Sequence, residues 1–332
     1  IISRSLTRCL ISLKIDLMNN SAGQILDGNL STSIDLAIEN LRNDLLIGLP
    51  TETVYGLAAL ATRPKAIAKI FQVKARPTNH PLILHIADYQ HLDKWAKDIS
   101  LYTKNICEHF WPGPLTVILM RTENVCNEIT GGRETVAIRI PNHQVALSLL
   151  SSLNDGLVAP SANRFGKVSP TSAQHVVDDL GDDVSIVLNG GTCEIGVEST
   201  IIDCTSNRPQ ILRSGGISKS QLEEIGKIEI SQSDGDSRAP GMLEKHYAPK
   251  CRVELVDSSQ RALHRLDEIS TQGLTAEIID FHGDSKLYAK QLYARLRQAD
   301  DRKIDIVLAV MPSSGGLGDA IRDRLIKAAA AN

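Results

Sequence analysis

LLIGLPTETVYGLAALATRPKAIAKIFQVKARPTNHPLILHI (residues 45–86) is the stretch whose reading decides the fold. Its opening run, Leu45–Leu49, is apolar and stops at Pro50, as a buried strand does when a residue without a backbone N–H follows. Pro64 suits a first helical turn and opens a helix to about Gln72. A second apolar run of strand length follows at Leu82–Ile86. Strand, polar loop, helix and strand in this order indicate an α/β domain.

The pattern continues on both sides. Ile34, Ile38 and Leu41 share a face of a helix over 33–43, behind a Ser/Thr cluster suited to N-capping. Leu115–Met120, Thr135–Ile140, Asp183–Leu188 and Val197–Asp203 are further strand candidates, with helical patterns near 88–110, 143–152, 172–180 and 218–226. These elements predict one α/β domain over residues 31–228. Residues 229–250 are rich in Ser, Asp, Gly and Pro and read as a linker. Beyond them, strands at 251–256, 275–280 and 303–311 alternate with helices near 258–271, 284–298 and 319–330, which predicts a smaller parallel βαβ domain over 251–332. Residues 1–30 place Arg4, Arg8 and Lys14 among Ser, Thr and apolar residues, and read as an upstream extension or a presequence.

Composition narrows the function classes. The chain has 332 residues, 42% of them hydrophobic, which favours two ordinary domains with proper cores. A formal charge of -3 excludes a globally basic nucleic-acid binder, though a small anionic ligand needs only a few placed cations. The 6 cysteines are scattered, with no CxxC pair and no metal-ligand spacing, so they read as reduced thiols of a cytoplasmic protein without a structural metal. No stretch approaches the ~18 consecutive apolar residues of a membrane helix.

Four polar clusters interrupt the strand ends of the first domain: Pro50–Gly56, Lys74–Pro77, Ala159–Asn163 leading to Ser169–Thr171, and Gly196–Thr200 followed by Leu212–Gly216. The first alone reads equally well as a capped turn, the second alone reads first as basic residues complementing a helix end, and the other two alone can be turn chemistry. Together they supply small hydrogen-bonding groups and four cations, Lys74, Arg76, Arg139 and Arg213, a set that suits a polyanion. There is no GxxxxGK[ST] loop, no GxSxG elbow and no HExxH helix. Gly315–Gly318 stands before the last helix with no room for a dinucleotide fold after it, and reads as a tight turn.

The run from Leu49 to Ile86 resembles the opening of the YrdC-type domain. The resemblance continues through FWPGPLTVIL (110–119), ETVAIRIP (134–141), VAPSANRFGKVSPT (158–171), GVESTIIDCT (196–205) and ILRSGGIS (211–218). APGMLEKHYAPK (239–250) resembles the linker of the two-domain members, and GLGDAIRDRLIKAA their closing helix. Ala58–Ala61 departs from many relatives in being wholly apolar, at positions that carry no ligand. The resemblance implies a twisted-sheet catalytic domain with a concave cavity and a C-terminal Rossmann-like domain. It implies the chemistry of threonylcarbamoyl-AMP synthases: L-threonine, bicarbonate and ATP give threonylcarbamoyl-AMP and pyrophosphate, and other proteins then transfer the group to tRNA.

By that resemblance Thr51, His85, Arg139, Ala159 and Ser199 hold L-threonine. Lys74, Arg76, Thr78, Thr135, Ser161, Asn163, Ser169 and Arg213 surround ATP, with Lys74, Arg76, Ser161 and Asn163 closest to the reacting phosphates. Tyr247 of the linker touches ATP across the mouth of the site. Mg2+ rides on the phosphate oxygens rather than in a protein cage. Neither DNA nor a membrane is an expected partner. The alternative is an RNA-binding, translation-regulating module that uses the same basic concavity; the net charge and the lack of basic runs interleaved with aromatics weigh against it.

Overall fold

A computed structural model describes residues 23–232 and 247–331. The predicted extension up to residue 22 and the linker residues 233–246, His246 among them, lie outside the described residues.

The 45–86 stretch folds largely as its pattern requires. Ile47–Leu49 is a fully buried strand, Pro64–Lys74 is a helix with proline in its first turn, and Ile83–His85 is a strand. Between them Gly56–Leu60 forms a strand absent from the sequence reading. It pairs antiparallel with Ile47–Leu49 through its first half and with Leu157–Val158 through its second. Its run of small and apolar residues carries no two-residue period because both faces are buried. Gly56 is required there: a Cβ would come within 2.9 Å of the Ala159 Cβ.

Eleven strands follow one another in a single mixed sheet, and a twelfth, Ala96–Lys97, pairs beside Leu115–Arg121. From one edge the order is Gln24–Asp27, Ile186–Asn189, Ile47–Leu49, Gly56–Leu60, Leu157–Val158, Ile83–His85, Thr135–Arg139, Leu115–Arg121, Thr200–Asp203, Gln210–Arg213 and Ser231–Gln232. The edge strands carry the sheet beyond residues 31–228 on both sides. Gln24–Asp27, assigned by sequence to the extension, pairs parallel with Ile186–Asn189, and Ser231–Gln232, assigned to the linker, pairs with Gln210–Ile211. Both are short and half-exposed or exposed, so neither carries the apolar run that marks an inner strand.

Two helical expectations also change. The 33–43 pattern is the helix Ser31–Arg42, but Leu30 is its N-cap and no side chain caps it. The pattern near 88–110 breaks into a short turn, the helix Leu92–Trp95, the strand Ala96–Lys97 and a new helix, Leu101–Phe110. Ser100 starts the last of these by accepting the Thr103 N–H, and Asp98 reverses the chain with φ +57°.

The C-terminal domain is a three-stranded parallel sheet in the order Arg252–Val256, Ile306–Val310, Ala276–Ile279. Ile306 and Leu308 of the central strand meet Ile269 of the helix Ser259–Thr271. Val307 and Ala309 face a second core with Leu292, Leu296, Ile321 and Leu325 from the helices Ser285–Asp301 and Leu317–Ala329. Gly315 and Gly316 take positive φ before the last of these helices, as the tight-turn reading requires. The second core does not stop at the domain border. It includes Val54, Val168 and Val197 of the first domain together with Tyr247. Gly196 permits this approach: a Cβ there would lie 2.5 Å from the Ala289 carbonyl oxygen of the C-terminal domain.

Candidate active site

The helix Pro64–Lys74 ends with Ala75 in the left-handed conformation, at φ 51° and ψ 41°. A non-glycine residue there costs roughly 1 kcal/mol. Lys74 is buried on the helix face of Ile67, Ile70 and Phe71, and the reversal after it leaves Arg76, whose N–H bonds the Phe71 carbonyl at 2.9 Å, at the edge of a cavity. The same cavity is walled by the strand-end loops 51–56, 159–161 and 198–199, by His85 and Arg139, and by Arg213 and Tyr247.

In one cluster, His85 and Arg139 are in-register neighbours at the ends of parallel strands. Arg139 is buried. It donates through Nη1 to Thr53 Oγ1 at 2.8 Å and through Nε to the Gly113 carbonyl at 3.3 Å, and Nη2 lies 2.7 Å from Glu52 Oε2. Thr51 Oγ1 donates to the Val54 carbonyl at 2.6 Å and meets Thr53 Oγ1 at 2.9 Å. Burial, then the neighbouring Arg139 charge, lowers the His85 pKa to about 3. His85 is therefore a neutral imidazole at physiological pH, with Nδ1 3.2 Å from the Ile83 carbonyl.

A second cluster in the same cavity is cationic. Arg76 donates Nη2 to the Pro81 carbonyl at 3.0 Å, and its guanidinium stands 5.5 Å from the Phe165 ring centroid. Its pKa falls to about 10 through burial and the like charge of Arg213. Arg213 is buried too; Nε donates to the Ser199 carbonyl and Nη2 to Ser199 Oγ, each at 3.0 Å. Ser199 Oγ also meets Thr116 Oγ1 at 2.8 Å. Two guanidiniums brought together out of water make a site for a strong anion.

The sequence-derived site residues divide by position. Thr51, Arg76, His85, Arg139, Ala159, Ser161, Ser199, Arg213 and Tyr247 line the one cavity. Lys74, Asn163 and Ser169 stand behind its wall. The Lys74 ammonium donates to the Ser161 and Asn163 carbonyls at 2.5 Å each, and burial holds its pKa well below the usual lysine value. Asn163 Nδ2 donates to the Arg164 and Lys167 carbonyls at 2.8 Å, and Ser169 Oγ to Glu198 Oε1 at 2.6 Å. Thr78 is exposed and Thr135 half-buried, and neither belongs to the wall.

Glu198 is the principal residue that sequence reasoning leaves unassigned. It lines the cavity, yet is buried, and receives Tyr293 Oη at 2.8 Å and Arg324 Nε at 3.1 Å from the C-terminal domain. Burial alone would raise its carboxyl pKa, but Arg324 and Arg213 outweigh it and hold the value near about 2. The signal in the sequence is a lone acid in a loop of small residues ahead of a buried strand, which demands a buried cation from elsewhere.

The comparisons with known proteins cover both domains. Residues 39–215 match the Sua5/YciO/YrdC family model, described as telomere recombination, and residues 217–330 match the model described as the threonylcarbamoyl-AMP synthase C-terminal domain. The chain is 38% identical to the threonylcarbamoyl-AMP synthase of Pyrococcus abyssi over 89% of its length and 93% of the relative's. It is 37% identical to that of Bacillus subtilis over 87% and 90%, and 33% identical to that of Schizosaccharomyces pombe over 90% and 88%. The crystal structure of P. abyssi Sua5 complexed with L-threonine superposes with a TM-score of 0.85 at 36% identity, covering 93% of this chain and 97% of that one.

Proposed function

The chain belongs to the threonylcarbamoyl-AMP synthase family, ATP-using enzymes of the nucleotidyltransferase type, and on that premise we propose how its cavity performs the synthesis. L-Threonine occupies the Arg139 end and the ATP phosphates the Arg76–Arg213 end. The observation that carries this reading is that one cavity holds a pair of mutually repelling buried arginines, Arg76 and Arg213, and a third arginine, Arg139, that is paired with Glu52.

The threonine amine attacks the carbon of bicarbonate or CO2 and gives a carbamate, with loss of water in the first case. A carbamate oxygen then attacks the α-phosphorus, the bond to the β-phosphate oxygen breaks, and pyrophosphate leaves with the electron pair. Positioning and charge stabilisation suffice for such an in-line displacement. Arg139 meets the threonine carboxylate as a fork, Thr51 and Ala159 close around the small side chain, and Ser199, whose hydroxyl accepts from Arg213, stands where threonine meets the phosphates. His85 stays neutral, so it adds no charge that would oppose binding of an amine. Arg76 and Arg213 take the charge that builds on the leaving phosphates, with Ser161 beside them. Lys74 acts by tying the carbonyls of Ser161 and Asn163 and fixing the loop between them. Ser169 acts through Glu198, and Thr78 and Thr135 serve the outer part of the nucleotide. Tyr247 closes the wall over the ATP end.

Mg2+ arrives on the ATP phosphates in this scheme. The lining carboxylate, Glu198, is already engaged by Ser169, Tyr293 and Arg324, so it does not offer a vacant oxygen pair. The product is a mixed anhydride, which calls for a second protein to pass the threonylcarbamoyl group to tRNA. We place the reaction in the cytoplasm, in keeping with the free thiols of Cys107, Cys126, Cys193, Cys204 and Cys251.

The test is pyrophosphate release from ATP by purified protein, with and without L-threonine and bicarbonate, and mass spectrometry of the nucleotide product. Release that needs both co-substrates and yields a threonine-containing adenylate is expected. A folded protein that releases none under any of these conditions overturns the proposal.

A further inference from the structure

We propose that Glu198 is a positioning residue through which the C-terminal domain sets the nucleotide end of the site. The inference rests on the reading that Arg213 faces the ATP phosphates.

Glu198 is fully engaged from both domains. One carboxylate oxygen takes Ser169 Oγ of the first domain, and the other takes Tyr293 Oη and Arg324 Nε of the second. Arg324 is 1% exposed and does more than pair with the acid. Its Nη1 donates to the Ser214 carbonyl at 2.7 Å, one residue beyond Arg213. Glu198 in turn directly precedes Ser199, whose carbonyl and hydroxyl receive the Arg213 guanidinium. The C-terminal helices therefore grip both chain segments that aim Arg213. Arg297 adds a third hold, donating to the Val168 carbonyl and, at 3.4 Å, to the Ser169 carbonyl, while it pairs with Asp179. Tyr247 stacks on Tyr293 at 5.6 Å and lies 5.5 Å from the Arg324 guanidinium, so this residue is seated on the same cluster.

Charge explains why an acid is placed in a pocket for a polyanion. Glu198 is ionised at any working pH. With Arg324 in place that charge is answered from the C-terminal domain. Without it, the carboxylate competes with the phosphates for Arg213. The acid is harmless to ATP only while the second domain is docked, and this makes docking a condition of nucleotide binding.

The experiment titrates full-length protein with a non-hydrolysable ATP analogue and, separately, with L-threonine. Arg324→Gln should weaken the analogue at least 10-fold and change L-threonine affinity by less than 2-fold. The double variant Arg324→Gln/Glu198→Gln, which removes both charges, should recover analogue affinity to within about 3-fold of wild type. Tyr293→Phe, a milder change that keeps the core filled, should weaken the analogue 2- to 3-fold and leave threonine unchanged, and it decides the matter if Arg324→Gln fails to fold. Equal loss of both ligands, no loss of either, or a double variant as weak as the single one overturns the proposal. Wild-type protein that binds both ligands but forms no product refutes the synthesis reading while these comparisons still stand.

Discussion

Acid should destabilise the protein through His85 by an amount the structure fixes. The imidazole is buried beside Arg139 and its pKa lies near about 3, against 6.5 in an unfolded chain. Because the folded value is depressed, the unfolded state binds the extra proton between these pH values. The stability tied to neutral His85 is thus complete above pH 6.5 and is lost as pH falls toward 3. Between pH 7 and pH 5 the unfolded chain gains about 1.9 kcal/mol from protonating this one side chain, while the folded state gains almost nothing. A folded pKa one unit higher alters that figure by less than about 0.1 kcal/mol. His85→Gln keeps a neutral polar group of similar reach and removes the titration. The measurement is urea unfolding of wild type and variant at both pH values without L-threonine, whose binding would add its own stabilisation. Fluorescence of Trp95 and Trp111 reports on the domain that holds His85. Other titrating groups, the partly buried His143 and His175 included, cancel in the difference of differences. Wild type should lose about 1.9 kcal/mol more than the variant on acidification. A difference below about 0.5 kcal/mol, or one of opposite sign, refutes a buried neutral His85.

Three further outcomes follow from the same geometry. Lys74→Met fills the helix end but leaves the Ser161 and Asn163 carbonyls without their donor, at a cost of about 3 kcal/mol; urea unfolding reads it, and kcat should fall more than the folded fraction does. Arg139→Lys keeps charge and loses the fork, so L-threonine should bind roughly 30-fold more weakly, about 2 kcal/mol, with ATP-analogue affinity unaltered in calorimetric titration. Gly215→Ala would put a Cβ 2.2 Å from the Thr200 backbone N and 2.4 Å from the Ser199 carbonyl carbon, where no flexible side chain can yield. It should cost about 3 kcal/mol and shift Ser199, visible as lost thermal stability together with lost activity.

Residues whose role follows from local pattern are legible in the sequence, and those whose role depends on chain reversal are not. The apolar runs at 47–49, 83–85 and 306–310 announce themselves because burial on both faces requires unbroken hydrophobicity. The polar clusters at strand ends are legible as interruptions of those runs, and the structure gathers most of them around one cavity. The inward side chain of Lys74 is legible, since it falls on the helix face of Ile67, Ile70 and Phe71, but the chain reversal that brings Arg76 to the cavity is not, because it is set by the left-handed Ala75 and alanine carries no preference for that conformation. The strand Gly56–Leu60 is hidden for a different reason: its alanines suit a helix equally well, and only pairing on both edges makes it a strand. In the last helix Arg322, Arg324 and Lys327 look alike as sequence, yet Arg324 alone of the three is fully buried against Glu198.

The distribution of charge along the cavity orients the two substrates on this reading. At the Arg139 end the guanidinium is balanced by Glu52 at 2.7 Å and His85 is neutral, so the local field is weak. An amino acid carries both signs and needs shape and a fork there more than net charge; a strong positive field would moreover oppose its ammonium. At the other end Arg76 is held by a carbonyl and a ring rather than by a carboxylate, and it keeps its charge against a neighbouring arginine. Such strain between like charges is relieved only when a polyanion enters, so the site favours ATP most where the leaving phosphates must lie. The carboxylate that could cancel that field, Glu198, is itself cancelled from the second domain. Substrate order within the cavity is then a consequence of which acids are paired and by what, and an exchange of Glu52 or Glu198 for glutamine should alter the threonine end in the first case and the nucleotide end in the second.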